Sequence, residues 1–509
     1  MTPPPRHLRR RVRESVLWAF LEHGYTWALT FGSRIVLARL LSPRDFGLVA
    51  IVTLVQDLVV LFGMRGIAAS LIQRREQVEA YATAAFWLNI LVGAAIGVVQ
   101  IALAPVAARV FGEPQLAVLL PVAAIAFFIT PWGVTHNTLL AKELKIKRRA
   151  LRHAALRTVA TAGMIVMAVR GYGVWSFVIP PLLVDPLEVL LNWRLHPWRP
   201  RLRLDLQHWR EIAGYGKHVL GADVLRYLMD NTDYWTVGRV LGTAALGVYA
   251  FAFRQAMFAV DHVTRVAARV TFPTFALLQR DEATVRQAFT KALLLITSVT
   301  LPLQLGQLAL TREYIVTVYS AKWLPAVDPF RILLLYGTAL AVAALPRSLL
   351  AATGRPHLVW RFHALVYPVL LAAIALGVRA GPTGVATAVG LVLGGSAWVF
   401  IVYALRLLRW PLGVVLGPLR APVTAGLVMF AAVSAARWAL VVAGVRPAGV
   451  LGVCVPLGAA VYGLTLGLAF PGVWRELRGF VRRAGGDFAR ALGQTVRRAR
   501  ARLPLTEGA

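Results

Sequence analysis

Apolar residues recur along this chain in long, nearly unbroken runs, rather than in the strict alternation of a strand or the one-sided stripe of a surface helix. A window of about 19 residues predicts spans over 15–37, 45–63, 82–103, 115–138, 154–169, 172–193, 213–238, 244–268, 288–310, 327–346, 358–378, 383–405, 421–443 and 449–470. A helix needs about 20 apolar residues to cross a bilayer. The expected fold is therefore an all-α integral membrane protein with about fourteen transmembrane helices. Several runs carry proline (Pro121, Pro131, Pro180, Pro181, Pro302), which a packed membrane helix absorbs through its neighbours, so kinks are expected.

Composition agrees: 58% of the 509 residues are apolar and 15% charged, with mean hydropathy +0.65. That excludes an ordinary soluble domain. The net charge of +32 is of the size usually read as nucleic-acid binding. Its distribution argues otherwise. With odd connectors on one side and even connectors and both termini on the other, Lys and Arg favour the second set by roughly four to one. The positive-inside rule then places both termini in the cytoplasm, and no nucleic-acid partner is implied. The single cysteine, Cys454, leaves no intramolecular disulfide or thiol metal site. The first run lacks a small-residue cleavage site and is expected to be a retained span.

The expected organisation is a basic N-terminal arm (1–14), six spans (15–193), a basic linker (194–217), six more spans (213–405), a final pair (421–470) and a basic amphipathic tail (471–509) lying on anionic lipid. Trp193, Trp198 and Trp209 interleave with arginines at the linker, which suggests a segment along the headgroups. An internal repeat supports two halves. At an offset of 200 residues, Ala38–Ile51 overlies Gly238–Phe251, matching Arg39/Arg239, Leu41/Leu241, Gly47/Gly247 and Ala50/Ala250. In the same register His23, Thr26, Thr30 and Ser33 fall opposite Asp223, Arg226, Asp230 and Asp233, in each case on one helix face. Two halves of like orientation are the plan of a transporter that binds between its lobes.

A charge at mid-bilayer costs about 2.5–3.5 kcal/mol on insertion scales, so those that persist face a cavity or a partner. The seventh span carries Asp223, Arg226, Asp230 and Asp233, with Asn231 and Tyr234 beside them, and the eighth carries Arg254, Asp261 and Arg265. Glu22 and Arg34 lie in the first span, Gln56 and Asp57 in the second, Arg157 in the fifth and Arg331 in the tenth. Two readings stand: a hydrated cleft between lobes, or structural ion pairs such as Arg226 with Asp223 or Asp230, and Arg254 with Asp261. His23, His218, His262 and His363 are titratable positions of the same kind.

The segments LARLLSPRDFGLVA (37–50), SLIQRRE (70–76), RPRLRLD (199–205), MDNTDYWTVGRVLGTAALGVYAFAFR (229–254), TFPTFALLQRD (271–281), YSAKWLPAVDPFRIL (319–333) and AATGRP (351–356) resemble those of polysaccharide transport family flippases. These are the Wzx/WzxC-like lipopolysaccharide and exopolysaccharide proteins of the multidrug/oligosaccharidyl-lipid/polysaccharide exporter superfamily. The resemblance covers roughly 15–405. It implies two pseudo-symmetric six-helix lobes plus a C-terminal pair, and a lipid-linked oligosaccharide moved across the bacterial inner membrane. Arg34, Arg226 and Arg254 would grip the pyrophosphate, Asn231 and Tyr234 the glycan. Glu22, Asp57, Asp230, Asp233 and Asp261 would couple a proton or sodium gradient. Membrane lipids and other polysaccharide assembly proteins are the implied partners, with a monomer as the unit and no cofactor.

No G-x-x-x-x-G-K-[ST], H-E-x-x-H or G-x-S-x-G occurs, so ATPase, metalloprotease and serine hydrolase readings lack residues. The longest outer connector, about Thr311 to Ala326, is too short for the catalytic loop of a membrane glycan ligase or polymerase. A cation-coupled multidrug antiporter of the same superfamily is the nearer alternative.

Overall fold

In a computed structural model the described residues are 6–61, 77–143, 146–202, 206–278 and 281–480, with isolated positions 63, 67, 71–72 and 482. Among them there is no strand. The long helices are α1 (Arg6–Leu40), α2 (Pro43–Val60), α3 (Val78–Phe111), α4 (Leu116–Ile129), α5 (Pro131–Lys142), α6 (Ile146–Val169), α7 (Trp175–Leu195), α8 (Leu206–Thr236), α9 (Thr243–Leu278), α10 (Glu282–Ala309), α11 (Val327–Ala352), α12 (Pro356–Gly377), α13 (Gly381–Leu407), α14 (Gly413–Val442) and α15 (Pro447–Ala469). Among the described residues, eight helical stretches are long and apolar enough to cross a membrane, or nine if the bent pair α4/α5 is one span. One of the eight, Pro356–Leu407, is a hairpin in which Phe362 of α12 packs on Phe400 of α13 at 5.2 Å. Helices α1, α2, α6 and α8 are also long but fall short on polarity.

Local chemistry sets the breaks. Ser42 and Asp45 form a capping box at the start of α2, each accepting the other's backbone N–H, with Pro43 at the first helical position. Pro131 leaves the Phe127 carbonyl without its usual donor, and α4 and α5 bend there by 47°. That carbonyl turns onto Gly93 of α3, where no side chain stands in its way. Pro121, Pro180, Pro181 and Pro302, in contrast, lie inside continuous helices. After α8 a π-helical turn, Val237–Leu241, ends at Gly242 with φ +85°.

The two halves share one large core at the end that carries the segment 311–326, here called the strap. Leu48 and Ile51 of α2, Tyr249 and Phe251 of α9, and Trp323 of the strap all belong to it. At the opposite end, which carries the linker, the cores separate. Tyr81 and Leu139 cluster in the N-terminal half, Phe275, Phe289 and Leu345 in the C-terminal half. The two halves therefore share no apolar core at that end.

The strap closes the other end. Lys322 donates to the Arg39 and Leu41 carbonyls at 2.8 and 2.6 Å, and the Trp323 indole donates to Ala38 at 2.8 Å. These are terminal carbonyls of α1, which have no partner within their own helix. Arg39 reciprocates by donating to Val318 and Thr317. Nearby, Arg437 of α14 pairs with buried Glu313 at 2.9 Å, tying the C-terminal helix pair to the strap.

The linker tryptophans hold to the N-terminal half. Trp193 donates to the Trp132 carbonyl at 2.8 Å and Trp209 to Ala84 at 3.0 Å, while Trp198 packs against Phe86 and His136. These bonds fix the segment against α3 and α5 of the N-terminal half. Residues 471–480 are helical; the rest of the expected tail, and most of the 70–76 motif, lie outside the described residues.

Candidate functional site

A cavity of about 860 Å³ lies within the C-terminal half, walled by α8, α9, α11, α12 and α13. Its polar lining comprises Asp223, Arg226 and Asp230 of α8, Asp261 of α9, Tyr336 and Arg347 of α11, and His357, Trp360 and His363 of α12. Steps of 3 and 4 residues bring the three α8 groups to one face, as their spacing predicts. Arg226 pairs with Asp230 at 3.7 Å, but the side chains are 75% and 66% exposed. A pair so hydrated adds at most about 1 kcal/mol to stability. Arg265 and Asp261 pair similarly at 3.8 Å. Arg226, Asp230 and Asp261 line the cavity in such exposed pairs, which leaves them accessible to a ligand.

A second, smaller cavity of about 70 Å³ lies nearer the strap, lined by Arg34, Phe46, Val49, Phe177, Ala250, Phe251, Arg254 and Gln255. Arg34 and Arg254 are close enough to repel one another. Two guanidiniums in one void make a site for an anion, since each presents planar donors suited to phosphate. The expected trio of arginines is thus divided: Arg34 and Arg254 come together, and Arg226 lies in the larger cavity.

Asn231 and Tyr234 line neither cavity. The Asn231 amide donates to the Tyr227 carbonyl at 2.9 Å on its own helix. Tyr234 is buried against Tyr249 and Phe253. The glycan role expected of these two therefore draws no support from the lining of either cavity. Asp233 is 4% exposed and accepts from the Tyr249 hydroxyl at 2.5 Å and the Tyr234 amide at 2.9 Å. Glu22 pairs with His153 of α6 at 2.8 Å. Asp57 is exposed on α2 near Tyr227, away from both cavities. Of the five candidate coupling carboxylates, Asp230 and Asp261 therefore share the large cavity.

Sequence reasoning missed Arg347 and Trp360 in the large cavity. It also missed a buried polar cluster in the N-terminal half, where Arg152 donates to Asn192, to Asn137 at 3.2 Å and to Glu188 at 3.4 Å. Asp185, Glu188 and Asn192 follow one another by 3 and 4 residues along α7, the periodicity that would have exposed the cluster. Among the described residues no group of three or more His, Cys, Asp or Glu side chains is placed to hold a metal ion.

Apolar helices of spanning length around cavities with charged linings define a multi-pass membrane protein. Residues 36–328 match the family model described as polysaccharide biosynthesis protein, and the chain belongs to that family. It is 27% identical over 296 residues to the teichuronic acid biosynthesis protein TuaB of Bacillus subtilis (strain 168), covering 58% of this chain and 61% of that one, less than two thirds of its length. It is 24% identical over 393 residues to the lipopolysaccharide biosynthesis protein WzxC of Escherichia coli (strain K12), covering 76% and 78%. Among solved structures, the lipid II flippase MurJ in an inward closed conformation has TM-score 0.71 at 14% identity, covering 90% of this chain and 99% of that one. An inward-facing multidrug resistance MATE transporter of the MOP superfamily has TM-score 0.59 at 15% identity, covering 77% and 97%. The chain shares its fold with both of these structures.

Proposed function

We propose that the protein is a flippase that carries an undecaprenyl-pyrophosphate-linked oligosaccharide from the cytoplasmic to the outer leaflet of the bacterial inner membrane by alternating access. The observation that carries this reading is the 860 Å³ polar cavity walled by apolar helices, in a chain of the polysaccharide biosynthesis family. Counting α1, α2, α6 and α8 as crossings, α4/α5 as one bent span and the α12–α13 hairpin as two gives about fourteen, with both termini in the cytoplasm. The linker end is then cytoplasmic and the strap end outer. The headgroup enters the large cavity, where Arg226 and Arg347 meet the diphosphate, and passes toward Arg34 and Arg254 as the halves rearrange. Asp230 and Asp261 exchange a proton or sodium ion in step with that movement.

The test is polysaccharide export in cells with Arg226→Ala or Arg254→Ala. Each is expected to abolish export while the protein stays in the membrane; normal export by both sinks the headgroup assignment. Coupling is read in proteoliposomes with and without imposed proton or sodium gradients. Indifference to both removes the aspartates from the mechanism. The three aspartates in the cavity lining also suit a cation-coupled drug antiporter, which predicts altered resistance to cationic dyes on overexpression.

A further inference from the structure

Ala38 and Arg39 end α1 with carbonyls that have no amide partner further along the helix, and Leu41 follows them into the turn to α2. All three are satisfied from the other half of the molecule, by Lys322 and Trp323 of the strap. Trp323 is also wholly buried between the halves. Its ring stacks on Phe251 of α9 at 4.1 Å and meets Phe46 of α2 edge-on at 5.0 Å. The 200-residue shift that relates the halves puts Val122 and Ala123 where Lys322 and Trp323 stand. Past the end of α8 the contact is accordingly apolar: Phe111 of α3 stacks on Trp235 at 5.1 Å and lies against Gly238. The charged cap on α1 is therefore something the repeat does not supply.

The strap is strained where it makes these bonds. Ser320, two residues before Lys322, holds φ +120° and ψ 166°, a region that glycine alone occupies at ease. Backbone bonds pin it on both sides: its own N–H donates to Ile315 at 3.1 Å, and the Trp323 N–H donates to its carbonyl at 3.2 Å. Such a conformation persists only while its surroundings over-determine it. Beside it, the Tyr319 hydroxyl hydrogen-bonds Gln255 of the small cavity, so the strap rests on the void that Arg34 and Arg254 line.

We infer that the strap is the latch of the outer gate, held by the bonds of Lys322 and Trp323 to the end of α1 and loaded by the strain at Ser320. This rests on the alternating-access reading above and adds to it the contact that keeps the outer side shut. Water satisfies the α1 carbonyls once the halves part, so the closed state owes its advantage to the charged donor and the buried indole. Loss of the donor favours the open state. Relief of the strain favours the closed one.

The test is labelling of single introduced cysteines by a membrane-impermeant maleimide in right-side-out and inside-out membrane vesicles, with buried Cys454 as background. Val49→Cys reports on the small cavity from the outer side. Ala344→Cys reports on the large cavity from the cytoplasmic side, because Ala351, at the end of α11 away from the strap, also lines that cavity. Lys322→Met is expected to quicken labelling of Val49→Cys about tenfold, the effect of one charge-assisted bond, and Lys322→Arg to keep it within about threefold of the parent. Ser320→Gly should slow it about threefold. Labelling of Ala344→Cys should quicken in none of them, because a molecule open outward is shut inward. The latch is overturned if Lys322→Met leaves the Val49→Cys rate at the parental value, or if both cysteines quicken together, as general loosening would produce. If Val49→Cys is out of reach from outside in every variant while the cells go on exporting polysaccharide, alternating access itself falls, and the latch with it.

Discussion

Gly47 of α2 and Gly247 of α9 meet back to back where the two helices cross. A methyl built on Gly47 would overlap the Thr243 carbonyl, and one built on Gly247 would overlap the carbonyl of Pro43. The partners interchange under a shift of 200 residues, the offset of the sequence repeat. This is the reciprocity of a two-fold interface, made within one chain. Small residues let membrane helices approach to backbone contact.

Gly47→Val and Gly247→Val should each force the crossing apart. A side chain with nowhere to go costs about 1–3 kcal/mol in a packed site. Spin labels at Arg44 and Arg239, both exposed, should report a longer and broader distance distribution than in the parent. An unchanged distribution would mean that the halves are not held at this point.

The strap should loosen when its anchors are cut. Lys322→Met leaves the Arg39 and Leu41 carbonyls without their charged donor, a bond of a kind worth about 1.5–3 kcal/mol. Hydrogen exchange across 311–326 is expected to quicken while α12 and α13 keep their protection. Equal quickening everywhere would indicate global destabilisation instead.

Removing Arg437 leaves Glu313 buried at 4% exposure without its cation. Breaking one side of a buried pair costs on the order of 3 kcal/mol. Arg437→Ala should therefore lower the melting temperature, and the double variant Arg437→Ala/Glu313→Gln should recover most of the loss. No recovery would show that Arg437 acts through packing alone.

Asp281 caps α10, accepting the Thr284 hydroxyl and its backbone N–H, and these bonds hold its carboxyl below the usual carboxylate range. A lowered folded-state pKa means stability that is present at neutral pH and lost as pH falls through the lowered value. Protection of the first-turn amides of α10 should drop on acidification, and Asp281→Ala should show the low-pH behaviour already at pH 7. Identical exchange in the two proteins at neutral pH would remove the cap.

Much of this was legible in the residues. Ser-Pro-Arg-Asp at 42–45 announces a capped helix start, and the Gly47/Gly247 match announces a close crossing. Asp223, Arg226 and Asp230 of α8 fell on one face because helical periodicity fixes faces well, although Asp233 of the same predicted face is buried against Tyr249 instead. Arg347 escaped because the predicted span ended at residue 346, whereas α11 runs through Pro346 to Ala352, its neighbours absorbing the missing bond. Amphipathic patterning could not tell whether the linker tryptophans faced lipid or protein, since both offer an apolar surface with acceptors at its rim. Pairs such as Arg437 with Glu313 join residues 124 positions apart, which no local pattern records.

The lining of the large cavity, among the described residues, begins at Asp223 and ends at Phe400. The glycine crossing is symmetric, but the linings on its two sides are not: the second half walls the large cavity, while the first seals Arg152 and its partners inside it and contributes Arg34 to the small one. Under the flippase reading, substitutions that alter what the large cavity admits should map to the second half and leave the crossing of Gly47 and Gly247 untouched.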